Sequence, residues 1–228
     1  KEGICMLKTE RMDRVRAALR AQGLTQMIVC DPKSVWYLTG VAVEPYERLL
    51  ALYLPTEGEP VLFLNRLFNV PEPPCRTVWH TDTDKPVAQI AEVVDAGKPL
   101  GIDKEWPAKF LIPLMETHPG MQVVLSSDCV DDCRACKDAE EQTLMREASR
   151  INDAVNEAAK HYIKAGMTER EVAEFIDAQF RAHGCEGPSF TTIVSFGANA
   201  ADPHHEPDDT VLKEGDCELI DMGSVKSR

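Results

Sequence analysis

Residues 138–162, DAEEQTLMREASRINDAVNEAAKHY, carry the plainest structural signal in the sequence. Asp138 can accept from backbone N–H groups at a helix start, and Glu141, three residues on, can reach back to it, which makes a capping box. Leu144, Ala148, Ile151, Val155, Ala158 and Tyr162 then recur at alternating spacings of four and three, one continuous apolar stripe along a helix. Gly166 ends it. Thr168 and Glu171 repeat the capping box, and Val172, Phe175, Ile176 and Phe180 line a second helix that Gly184 stops. Two successive amphipathic helices need an apolar surface to cover. Phe190–Phe196 and Cys217–Met222, both β-rich, supply it, so the spacing predicts helices on one side of an antiparallel sheet, an α+β layer.

Upstream the pattern changes to alternating strand-like and helix-like segments. Met12, Val15 and Leu19 recur at helical spacing up to a capping Gly23, and Met27–Cys30 reads as a buried strand. Leu49–Leu54 and Val61–Leu64 flank the turn sequence PTEGEP and predict a hairpin. Thr77–Thr81, Leu100–Asp103 and Met121–Leu125 read as further strands, and Val87–Val94 as a helix. Pro107 suits the first turn of another helix, whereas Pro113 disagrees with its running on uninterrupted. This alternation predicts an α/β amino-terminal domain with a mixed sheet. Ser126–Lys137 is polar, cysteine-rich and without apolar periodicity, so the domain boundary is placed there, giving domains 1–130 and 131–228.

The 228 residues suit one large or two smaller domains, and 43 % hydrophobic residues are ample for packed cores. Apolar runs such as Leu49–Leu54 are too short to span a bilayer, and Lys1–Leu7 lacks the apolar stretch of a signal peptide. A soluble, cytoplasmic protein with no membrane partner is expected. A net charge of −13 without a Lys/Arg stripe repels a phosphate backbone, so no nucleic acid is expected to bind. Eight cysteines, at 5, 30, 75, 129, 133, 136, 185 and 217, fit buried reduced thiols, Cys30 and Cys217 in particular having apolar neighbours in sequence. Cys129, Cys133 and Cys136 have a spacing that also binds iron–sulfur clusters, but no Gly-rich cofactor loop follows, and they are read as ordinary thiols.

Two places hold residues that can carry chemistry. In Cys217–Gly223, residues 217, 219, 221 and 223 share one strand face. Asp221 is then expected among apolar neighbours, where a carboxylate needs a cation, a donor cluster or a strand end. The alternative is a plain Asp-x-Gly turn in which Asp221 caps its own backbone. Asn199–Pro207 gathers Asp202, His204, His205 and Glu206 in a loop stiffened by Pro203 and Pro207. Adjacent histidines on an extended backbone point opposite ways and are not expected to share one ion. One of them faces a cleft in proton transfer, or both are solvated. No Gly-x-Ser-x-Gly, His-Glu-x-x-His or Walker loop is present.

The run TTIVSFGANA (191–200), PHHEP (203–207), LKEGD (212–216) and LIDMG (219–223) resembles the signature of the creatinase/prolidase family, which includes Xaa-Pro dipeptidases and aminopeptidases P. AGMTEREV (165–172) and SVWYLTG (34–40) resemble the same family. The resemblance implies a creatinase-like α/β amino-terminal domain followed by the first half of an α+β pita-bread catalytic domain. It also implies a peptidase with two divalent ions (manganese, cobalt, zinc or iron), acting on short proline-containing peptides and commonly a homodimer. Matched residue by residue, Asp221 looks like the first metal-ligating aspartate and His204 like the substrate-binding histidine that assists proton transfer. His205 is a weaker substrate-side candidate, and Glu206 takes no role from the comparison. The family's second aspartate, its metal-binding histidine and its two glutamates are expected beyond Arg228, so this stretch alone is expected to lack activity. Two other readings stand beside this one: a metal-free creatinase-like amidinohydrolase, and a non-catalytic pita-bread module that binds proteins.

Overall fold

A computed structural model describes residues 7–226. Cys5 therefore lies outside the described residues. The chain divides into two compact units between Cys136 and Lys137.

The first unit contains α1 (Thr9–Ala21), β1 (Gln26–Val29), α2 (Pro32–Thr39), β2 (Ala51–Pro55), β3 (Val61–Asn65), β4 (Arg76–His80), α3 (Pro86–Ala91), β5 (Leu100–Ile102), α4 (Ala108–Thr117), β6 (Val123–Leu125) and α5 (Asp128–Ala135). Its six-stranded sheet runs β4-β3-β2-β1-β5-β6. The expected hairpin forms, β2 pairing antiparallel with β3 and with β1, while β1–β5, β5–β6 and β3–β4 are parallel, so the sheet is mixed. The central strands β1, β2 and β3 are buried on both faces, and the side-chain alternation splits them between two cores. Met27, Val29, Leu52, Leu54, Leu62 and Leu64 pack with Met12, Val15 and Leu19 of α1, Val35 and Leu38 of α2, and Cys129 and Val130 of α5. Ile28, Ala51, Tyr53, Val61 and Phe63 take the other side with Ile90 of α3 and Leu114 of α4. Helices on both faces of one sheet make an α/β sandwich.

Two local readings change, and one element was not read at all. Ser126–Lys137 does hold the division, but it is not irregular. It contains α5, whose Cys129 and Val130 are buried and whose Arg134 Nη1 reaches Asp31 Oδ2 at 3.1 Å and Ser34 Oγ at 3.0 Å. A boundary at 130 would cut this helix, and its anchoring moves the division to Cys136/Lys137. Pro113 lies inside α4, where it removes only the bond to the Lys109 carbonyl, and the fully buried Leu114 holds the helix down. Residues 32–39 form α2, which Asp31 caps by accepting from Ser34 N at 2.8 Å and which Gly40 closes at φ 73°.

The described cysteines are free: Cys30, Cys129 and Cys185 buried, Cys75 and Cys133 half-buried, Cys136 and Cys217 exposed. Cys217 thus departs from the buried reading. Burial pushes the Cys129 thiol up to about 11, the setting of an unreactive core thiol. The thiols of Cys129, Cys133 and Cys136 do not converge as a group of metal ligands.

The second unit contains α6 (Ala139–Tyr162), α7 (Glu169–Ala182), β7 (Gly187–Pro188), β8 (Ile193–Phe196), a 3-10 turn (Gly197–Ala201), β9 (Glu218–Asp221) and β10 (Ser224–Val225). Both capping boxes form, Glu141 N donating to Asp138 Oδ1 at 2.9 Å and Glu171 N to Thr168 Oγ1 at 3.2 Å. Val155 and Ala159 of α6, Val172, Ile176 and Phe180 of α7, and Val194 and Phe196 of β8 build the core. Ala159, not Ala158, is the alanine at its centre, while Leu144, Ala148 and Ile151 are only half-buried. The rings of Tyr162 and Phe175 stack with centroids 3.8 Å apart, tying α6 to α7. No described helix is long and apolar enough to cross a membrane.

Gly101 in β5 offers a direct check of the first unit's sheet. A Cβ there would collide with Ser126 Oγ and lie 3.2 Å from the Gln26 carbonyl oxygen. Gly101→Ala is expected to lower stability by about 1–3 kcal/mol, the usual penalty of overpacking. The urea midpoint measures it, and an unchanged midpoint would contradict the packing described.

Candidate functional site

The site is built on the β8–β9 ladder. Val194 pairs with Ile220 and Ser195 with Leu219, while Ile193 faces Asp221. Cross-strand partners share a face. Val194 and Phe196 are buried in the helical core, and Ile220 packs against the same cluster. Ile193, Ser195, Leu219 and Asp221 therefore occupy the opposite face. The expected grouping of 219 and 221 holds, while Cys217 precedes β9, and this is the face turned away from the helical core. Asp221 keeps the apolar Ile193 and Leu219 as same-face neighbours, but it is exposed and not buried among them. The apolar residues beside it in sequence, Ile220 and Met222, point the other way, into the core.

A simple Asp-x-Gly turn does not describe this strand either. Among the described residues the Asp221 carboxylate makes no hydrogen bond, and pairing resumes beyond Gly223, where Ser224 and Val225 join β7. Gly223 is explained by close approach: its carbonyl accepts from Ser189 N at 3.0 Å, and a Cβ would sit 2.6 Å from Ser189 Oγ. Diagonal to Asp221 on its face, Ser195 Oγ is buried with no hydrogen-bond partner among the described residues. An unengaged carboxylate and an orphaned hydroxyl on one face are compatible with a hard cation bound there through Asp221.

The histidine loop follows the 3-10 turn and hangs on one carboxylate that sequence reading passed over. Glu169, the first residue of α7, is completely buried. Its Oε1 accepts from Phe196 N at 2.7 Å and Asn199 Nδ2 at 3.0 Å. Its Oε2 accepts from His205 Nε2 at 2.7 Å and Asp208 N at 3.1 Å. N–H donors meet both oxygens, an arrangement that favours a proton on His205 Nε2, which also lies 3.2 Å from Asn199 Nδ2. The signal was present in the sequence: Glu169, Val172, Ile176 and Phe180 are spaced three, four and four apart, which sets Glu169 on the buried stripe of its helix.

The two histidines separate, although the backbone at Pro203–His204 is a turn and not extended. His205 turns inward, its side chain 16 % exposed against Glu169. His204 is exposed, held through its backbone N–H to Asp202 Oδ1 at 2.9 Å, with no side-chain hydrogen bond among the described residues. Asp202 and Glu206 are exposed. One ligand atom each from Glu169, His205 and Asp208 lies within 4.8 Å of the other two, a spacing that could hold an ion. The occupancy of those atoms decides against it. Both Glu169 oxygens and His205 Nε2 are engaged with one another and with neighbouring N–H groups, so an ion there would have to break the network.

Two family models together cover nearly the whole chain. Residues 11–136, more than half of it, match the Creatinase/Prolidase N-terminal domain, and residues 143–227 match Metallopeptidase family M24. The chain belongs to the creatinase/prolidase family. The probable dipeptidase PepE of Mycobacterium bovis is 31 % identical over 224 residues, a match spanning 94 % of this chain and 59 % of that protein. The crystal structure of dipeptidase PepE from Mycobacterium ulcerans superposes with a TM-score of 0.84 at 28 % identity, covering 96 % of this chain and 60 % of that one. Recombinant prolidase from Thermococcus sibiricus gives 0.87 at 27 % identity, covering 97 % and 62 %. The chain thus spans about three-fifths of the length of these relatives. The family is one of peptidases, and both His204 and Asp221 fall within the stretch matched to its metallopeptidase part.

Two measurements test the buried pair. Glu169→Ala strands four donors in the interior and is expected to remove about 3–5 kcal/mol of stability, the usual result of breaking a buried charged pair. A change below about 1 kcal/mol in chemical denaturation would contradict the network. The second is pH. The hydrogen bond to Glu169 does most to hold His205 above its ordinary 6.5; desolvation opposes this, and the charges of Glu169, Asp208 and Asp202 add to the rise. The folded chain therefore binds this proton more tightly than the unfolded one. The resulting stabilisation is complete below about pH 6.5 and is lost as pH rises through the folded value. Denaturation midpoints are expected to fall between about pH 6 and pH 9, and to fall less in His205→Gln. Identical slopes for the two proteins would show that the pair is not ionic.

Proposed function

We propose that the full-length protein is a metal-dependent peptidase that hydrolyses Xaa-Pro bonds in short peptides. The observation that carries this is the position of Asp221: an exposed, unengaged carboxylate on the β8–β9 face that the helices do not cover. The likeness to proteins named dipeptidase and prolidase supports the same reading. Asp221 would hold a divalent ion as an anionic oxygen ligand, a donor that suits manganese, cobalt, zinc or iron. Asp221 belongs to no cluster of three or more ligating side chains among the described residues, so the remaining ligands are assigned to the part of the relatives' length that this chain does not span. A bound metal pair would supply a water made acidic enough to attack a carbonyl near neutral pH.

His204 contributes differently. Its imidazole is exposed on a stiff loop and is not engaged by the described residues. It can hydrogen-bond the substrate and hold or pass a proton at the scissile amide near neutral pH. Because His205 is turned into Glu169, only one of the two adjacent rings is available for that role.

In the full-length protein, Asp221→Asn is expected to lower metal content and Xaa-Pro hydrolysis together, since a neutral amide replaces an anionic ligand. His204→Ala is expected to keep its metal while kcat falls by roughly 10²–10⁴, the range for losing a positioned acid–base group. Elemental analysis beside steady-state rates separates the two. Full metal and full activity in Asp221→Asn would sink the reading.

A further inference from the structure

One carboxylate reaches four points of the chain between β8 and residue 208. Glu169 binds Phe196 N at the end of β8, Asn199 Nδ2 in the 3-10 turn, His205 Nε2 and Asp208 N. The α7 backbone repeats the attachment, with Glu169 N donating to Thr210 O at 3.2 Å and Arg170 N to Asp208 O at 3.1 Å. Asn199 Nδ2 also donates to Thr210 Oγ1 at 3.1 Å, closing the loop on itself. His204 lies inside this span, directly bonded in sequence to the residue that is clamped.

We propose that Glu169 and His205 are positioning residues for His204: the buried Glu169–His205 contact fixes the backbone at 205 and so sets where the His204 imidazole stands. This inference rests on the role given to His204 above. Two features make the coupling mechanical. His204 sits in a turn closed by His205 N donating to the Asp202 carbonyl at 3.3 Å and His204 N to Asp202 Oδ1 at 2.9 Å, so fixing residue 205 fixes the turn that carries the ring at 204. His205 also has one acceptor deep in the core, at 2.7 Å, whereas the His204 side chain has none among the described residues. The orientation of His204 is thus inherited from its neighbour. Small displacements of a positioned group lower turnover steeply, on the order of 10²-fold for about 1 Å.

The test uses the full-length protein, a Xaa-Pro dipeptide and added manganese, with kcat, KM and bound metal measured for each variant. His205→Ala is expected to lower kcat by roughly 10–10²-fold with KM and metal content nearly unchanged. His205→Gln, which keeps an N–H donor long enough to reach Glu169, is expected to recover most of the loss. In a His204→Ala background, His205→Ala is expected to add almost nothing, because the second residue acts only through the first. Should His205→Ala not fold, His205→Asn, whose amide is too short to reach Glu169, takes its place. If His204→Ala lowers kcat while His205→Ala does not, the positioning role is wrong and the role of His204 stands. If His204→Ala itself leaves kcat unchanged, the role of His204 fails first and the proposal with it. Loss of metal in His205→Ala, or a further full drop in the His204→Ala background, would also overturn it, since His205 would then act on its own account.

Discussion

A carboxylate with no solvent exposure survives in a protein only when its charge is met by donors. Glu169 meets that condition with four N–H groups, and the second unit is arranged around doing so. The helix that begins at Glu169 buries Val172, Ile176 and Phe180 against Val194 and Phe196 of β8. That packing decides which face of the β8–β9 ladder is covered. The face left uncovered carries Asp221. The buried charge anchors the histidine loop, and the apolar stripe of the helix it starts sets which way the strand aspartate faces.

The same comparison separates two acidic groups that look alike in sequence. Glu169 is an anion whose lone pairs are taken up internally, so it serves structure. Asp221 is an anion with no described partner, so it is the one able to meet a cation. Proximity of His205 and Asp208 to Glu169 resembles a ligand cluster, but hydrogen-bond occupancy outweighs spacing in deciding what such a cluster does.

Much of the fold was legible because its signals are local. The capping boxes at Asp138 and Thr168, the β2–β3 hairpin and the mixed sheet of the first unit follow from spacing and turn residues that act within a few positions. What was not legible depended on partners far away in sequence. Helix α5 has little apolar periodicity of its own and is held by Asp31, Ser34 and the core under α1, about a hundred residues earlier. The strand parity at Asp221 was readable, but parity does not say which face a helix will cover. Cys217 was misplaced as buried for the same reason. The expectation that His204 and His205 lie apart holds in spite of the turn at 203–204, whereas which of them turned inward required knowing that Glu169 lay beneath. Glu169 itself sat at a stripe position and was obscured by its polar identity.

The account turns on the contrast between an engaged and an unengaged carboxylate, and diffraction can see it directly. Crystals of the full-length protein grown with manganese, measured for anomalous scattering at the manganese edge, would locate every bound ion. The expected map has density at the Asp221 carboxylate and none between Glu169, His205 and Asp208, where the hydrogen bonds remain intact. An ion seated on Glu169 and His205, with Asp221 bare, would contradict the assignment of both groups.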